Sequence, residues 1–307
     1  MKILEGLRTW DPAVRRMTEV YLLDKAAPYT TEGWIDRFLS YFNEEEKTWG
    51  GGIYSPKWIS TFYTLRDLQS LEIDPKHPVY QQGLETLVTN MWNPEGTVEK
   101  DDCVVAMLIS LLVYGGYPKR VMDEMVEYLI TRQMSDGGWN CWKNHRGTIK
   151  SSIHTTLSVL EAYRDYHKQG YSGSEKVMEA MEEQSRKGRE YLLRKQLMRR
   201  ESDGEIILPY ITVFHFPTRW KYDVLRALCY FASIQHPYDP RMEEALGLLQ
   251  RKIKKGYLTR GTTYSGQLHF KMESTGIGSM NTLRGLRVLK HYDPQYYRHV
   301  IGLDIPT

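Results

Sequence analysis

Apolar residues fall at helical spacing in five separated stretches of the chain. They are WISTFYTLRDL (58–68), DDCVVAMLISLL (101–112), SSIHTTLSVLEAY (151–163), RWKYDVLRALCYF (219–231) and MNTLRGLRVLKHY (280–292). Each follows a stretch of the same period but richer in charge, at 32–44, 77–92, 118–133, 176–198 and 239–254, across a loop containing Gly or Pro. A further periodic stretch covers 11–24. Strand-period alternation is nearly absent, so the pattern predicts an all-α chain.

Helices charged on one side and helices apolar nearly all round call for two environments, an outer and an inner ring. Alternating such helices through short loops builds either an open solenoid or a closed double-walled barrel. No polar capping repeat marks either end, which favours closure. Periodicity alone does not choose between the two.

Composition narrows the partners. Charged residues make up 26% of the 307 and the net charge is +3, a balance that makes no case for nucleic acid. The basic run RKIKK (251–255) reads as a solvated helix face. MKILEGLRTWDP lacks the apolar core of a signal peptide, and no apolar run is long enough for an integral membrane segment. Three cysteines, Cys103, Cys141 and Cys229, make no disulfide framework, which suits a cytoplasmic location. The 22 Tyr and 8 Trp are a large stock of flat amphipathic surface.

One segment carries a recognisable signature. VEYLITRQMSDGGWNCW (126–142) resembles the Gln–Trp repeat of squalene-hopene cyclases and their relatives, with Gln133, Asp136, Gly137, Gly138 and Trp139 at that repeat's spacing. Weaker copies lie at 188–206, with Gln196 and Asp203–Gly204 but no Trp, and at 83–98. STFYTLRDL (60–68) is similar to a helix of the protein prenyltransferase β subunit. The resemblance implies the prenyltransferase/terpenoid-cyclase fold, an (α/α)5-6 toroid forming a single domain over residues 1–307 with a repeat core at about 30–295.

It also implies chemistry at one rim, where inner helices begin. Asp101, Cys103 and His154 match the zinc ligands of protein prenyltransferases, and one carboxylate, one thiolate and one imidazole would leave a fourth position open. Cys141, in a loop at the same rim, would close that site and make it structural. Lys57 falls where a basic diphosphate ligand is expected; at the other such positions stand Glu95, Val98 and Val104. The substrate implied is an apolar or isoprenoid-like small molecule, or a peptide thiol, with a second protein subunit.

Two alternatives stand beside this one. EKDDCVV resembles the acid motif of squalene-type cyclases, with Glu99 in first place, Asp101 as proton donor, Asp102 its neighbour and no metal. Trp58, Phe62, Trp220 and Tyr222 would then stabilise a carbocation and narrow the axis to an apolar funnel. A catalytically silent toroid that binds a peptide or lipid is the other. Arg219 and Trp220 are further candidate substrate contacts, and Tyr222 and Asp223 candidate catalytic partners. Each of these residues also has a plain structural role open to it: Asp101 or Asp102 as helix cap, Cys103 as core, Asp223 in an ion pair.

Overall fold

The computed structural model describes residues 1–92, 101–170, 173–262, 264–273 and 276–305. The chain is mostly helical. In order the helices are α1 (Ile3–Thr9), α2 (Pro12–Tyr21), α3 (Trp34–Leu39), α4 (Thr61–Ser70), α5 (Pro78–Met91), α6 (Asp102–Tyr114) and α7 (Lys119–Ile130). There follow α8 (Trp142–Arg146), α9 (Ile153–Lys168), α10 (Glu175–Arg194), α11 (Val224–Ser233), α12 (Glu243–Ile253), α13 (Ser279–Tyr292) and α14 (Pro294–Ile301). A two-stranded antiparallel ladder, β1 (Phe42–Asn43) and β2 (Thr48–Trp49), pairs Phe42 with Trp49 and Asn43 with Thr48.

The chain divides into two compact units. The first comprises Met1–Leu87, Leu208–Arg219 and Asp223–Thr307; the second comprises Val88–Ile207 and Trp220–Tyr222. In the second, α6 and α9 pack along each other, with α7 against α6 and α10 against α9. Val105 to Val113 of α6 are all buried, as an apolar helix without a polar face requires, and each large side chain so buried contributes about 1.5–3 kcal/mol. α10 instead buries a single stripe including Met181, Gly188 and Leu192. In the first unit α13 lies between α11 and α2.

The periodicity located most helices and misplaced some ends. The stretch 32–44 yields only Trp34–Leu39, because the chain then turns into β1–β2. The Asn43 side chain closes that turn, accepting the amides of Glu45 and Glu46 at 3.0 Å each. The stretch 219–231 becomes helical only at Val224, where Asp223 caps it.

Two buried tryptophans make the same corner. Trp49 donates its indole N–H to Phe38 O at 2.7 Å, and its amide donates to Thr61 Oγ1 at 3.0 Å. Trp139 does the same with Leu129 O at 3.1 Å and Thr156 Oγ1 at 3.0 Å. A glycine lies against each ring. A Cβ on Gly83 would stand 2.9 Å from Trp49 Cζ3, and one on Gly188 3.0 Å from Trp139 Cζ3. The threonine and the glycine explain themselves: one satisfies a buried amide, the other makes room for the indole.

Candidate functional site

The strongest cluster of chemistry-bearing side chains in the second unit starts at the N-terminus of α6. Asp101 is the N-cap residue, and its backbone carbonyl accepts Val104 N at 2.8 Å and Val105 N at 3.0 Å; its carboxylate makes no cap hydrogen bond. Asp102 turns the other way. It is fully buried, and its Oδ1 accepts Tyr128 OH and Arg132 Nε, both at 3.3 Å. Burial pushes its carboxyl up to about 6 against the pull of Arg132.

Cys103 meets Cys141, which lies just before α8. The two Sγ atoms share a hydrogen bond at 3.0 Å, Cys103 N donates to Cys141 Sγ at 3.3 Å, and Thr155 Oγ1 of α9 lies 3.4 Å from the same sulfur. The bond between the thiols holds Cys141 below the ordinary thiol range; that bond, burial and the charge of Asp101 push Cys103 well above it. Cys141 is therefore the more thiolate-like of the two, close to where the helix dipole is positive.

His154 sits one position before Thr155, half-buried. Its Nδ1 accepts the Tyr222 amide at 2.7 Å, and the Trp220 ring meets it edge-on with centroids 5.3 Å apart. An Nδ1 that accepts leaves the ring proton of the neutral imidazole on Nε2. Tyr222 is buried, its hydroxyl donating to Leu197 O at 2.6 Å. Among the described residues no group of three or more His, Cys, Asp or Glu side chains is placed to hold a metal ion. The structure thus joins Cys103 to Cys141, and His154 to Trp220 and Tyr222. Glu95, Val98 and Glu99 lie outside the described residues.

The remaining expected residues belong to the first unit. Asp223 caps α11, its Oδ1 accepting Arg226 N at 2.7 Å and its Oδ2 accepting His215 N at 3.2 Å. Phe62 is fully buried between Tyr54 and Tyr63. Lys57 is exposed, with Nζ 5.4 Å from the Tyr54 ring centre. Trp58 and Arg219 do meet: the guanidinium stands 5.4 Å from the indole centre, and Nη1 donates to Asp67, a residue the periodicity treats as an ordinary helix position. Burial raises the Asp67 carboxyl to about 6, opposed by Arg219.

Two parts of the picture escaped the sequence reading although a signal was there. Asn43, Glu46 and Trp49 repeat the spacing of Gln133, Asp136 and Trp139 with one-for-one amide, acid and indole chemistry. An aspartate at the middle of an inner-helix pattern, Asp67, is a residue that needs a partner.

Compared with protein-family models, curated proteins and solved structures, the chain matches none.

Proposed function

We propose that this chain is an (α/α)-toroid enzyme of the prenyltransferase/terpene-cyclase group with a zinc–thiolate centre, acting on an apolar or thiol-bearing substrate. The observation that carries it is the thiol pair: Cys103 and Cys141, 3.0 Å apart, with Asp101 close enough to shift both. Two thiolates and a carboxylate are a zinc donor set, although among the described residues no three such groups are gathered around one point, so Asp101 would have to swing in as the sulfurs part. Tetrahedral Zn–S bonds would set the sulfurs about 3.8 Å apart, so the pair has to open by less than an ångström. Cys103, Cys141 and Asp101 would hold the ion, which when bound supplies Lewis acidity or a coordinated thiolate. The hydrogen bond from Tyr222 orients the neighbouring His154 ring. The toroid part is supported by the recurring tryptophan corner and by the alternation of one-sided and fully apolar helices.

Elemental analysis tests the centre. The purified chain should carry about one zinc per molecule, and Cys103→Ser or Cys141→Ser should each remove it with helical circular dichroism unchanged, since packed helices rather than metal form the core. A native chain that neither carries zinc nor takes it up on titration overturns the centre.

The alternative is the acid-initiated cyclase through Asp101; the carboxyl that burial raises is that of Asp102, which is bonded to Tyr128 and Arg132 instead. Isoprenoid turnover that survives chelators and is abolished by Asp101→Asn would select it. Neither zinc nor turnover would leave a peptide- or lipid-binding toroid.

A further inference from the structure

The Asp67–Arg219 pair lines a pocket made wholly by the first unit. Phe38 and Trp58 form buried wall, while Phe216, Leu268, Phe270 and Met272 are half-buried surface around it. Trp58 is fixed in place by its indole bond to Ser265 O at 2.9 Å and by backbone bonds to Gln267 on both sides of the Lys57–Trp58 peptide. Gly266 lies flat on the indole, where a Cβ would stand 2.5 Å from Nε1. His269 is tied to α4 through Thr64 Oγ1 at 2.9 Å.

Charge and shape select the ligand. Arg219, Arg260 and Lys271 line it together with two carboxyls, Asp67 and Glu273, both raised by burial, and Arg260 Nη1 also donates to Glu273 O. The ring faces of Trp58 and Phe270 already carry guanidiniums, Arg219 at 5.4 Å and Arg37 at 3.9 Å, so neither is open to a cationic ligand. Arg219 holds a left-handed backbone, φ +57°, which a non-glycine residue keeps only when its surroundings demand it. Its Nη1 is engaged by Asp67; among the described residues the rest of its fork has no acceptor. The free volume, about 40 Å³, holds roughly three water-sized groups. That leaves room for a small head group among the polar side chains, with the body of a ligand over the half-buried rim.

We propose that this pocket binds the carboxylate of a small apolar acid. Arg219 and Arg260 take the head, and Phe216, Phe270 and Met272 cover the body. Planar two-point pairing with a guanidinium gives the acid its advantage over a neutral isostere. The site is separate from the thiol pair and needs no metal.

Titration of phenylacetate and 3-methylbutanoate into the full chain, followed by calorimetry and tryptophan fluorescence, tests this. Both acids should bind, phenylacetamide about tenfold or more weaker, and a chelator should change nothing. Inorganic phosphate at equal concentration should not displace them. Arg219→Lys should weaken binding about tenfold, because a lysine cannot pair at two points. Since Arg219 lies in a buried pair, exposed Lys271→Glu is the second variant: affinity falls about threefold or more with an unchanged melting temperature. Equal binding of acid and amide, displacement by phosphate, or no binding by the native chain each overturns the proposal, and none bears on the zinc centre.

Discussion

The Trp49 and Trp139 corners bury the same ring with the same three supports and differ in the polar side chains that tie them to their neighbours. At Trp139, Gln133 Nε2 donates to Gly137 O and to Gln184 O of α10, both at 2.9 Å, while Gln184 Nε2 returns a bond to Ile130 O at 2.7 Å. Asp136 accepts the Ser151 amide at 2.9 Å and its hydroxyl. At Trp49, Asn43 serves only its own turn, and the β1–β2 ladder closes the corner instead. A buried indole therefore requires the carbonyl, the threonine and the glycine. The glutamine is one of two ways to tie the corner to its neighbours; backbone pairing is the other.

The comparison can be broken at three levels. The largest effect should come from the shared element: Trp49→Ala and Trp139→Ala should each cost about 3–5 kcal/mol in urea unfolding, through lost burial and the cavity left. A loss below about 1.5 kcal/mol at either would show that the two corners are not equivalent supports.

The next effect concerns the buried aspartate each unit sets against an arginine, Asp67 with Arg219 and Asp102 with Arg132. With a folded value near 6 against an ordinary 3.8, Asp67 binds its proton more tightly when folded. Its contribution to stability is thus fully present below about pH 4 and lost as pH rises through 6, by about 2–3 kcal/mol. Asp67→Asn, which keeps an acceptor for Arg219, should flatten that slope in unfolding measured from pH 4 to 7. An unchanged slope would show that the pair with Arg219 outweighs burial.

The smallest effect separates the corners. Gln133→Ala should cost about 1–2 kcal/mol, because it removes two part-buried bonds, to Gly137 O and Gln184 O; Asn43→Ala, on an exposed turn, should cost about 0.5 kcal/mol. Equal costs would mean that the glutamine belt adds nothing beyond its own turn.

Much of the helical layout was legible because it depends on local period. The apolar runs of α6, α9 and α13 mark themselves, whereas the caps at Ser174 and Asp223 were not read from the pattern. The candidate site was legible only in its ingredients. Cys103 and Cys141 are 38 residues apart in sequence, so neither spacing nor composition says that their sulfurs touch. His154 reads as a ligand in a motif, yet its Nδ1 is taken by a backbone amide supplied from residue 222. A motif names a side chain but not which of its atoms is already committed.

The sequence by itself determined the helical class, the burial of α6 and the tryptophan at residue 139, because periodicity, turn chemistry and ring size act within a few residues. Tertiary structure alone decided that Cys103 faces Cys141, that Arg219 reaches Asp67 from 152 positions away, and that the Trp49 corner is closed by a strand ladder rather than an amide. Those outcomes depend on which distant groups share the same small volume, and pairing energies of a few kcal/mol appear only after the helices have brought the groups within reach.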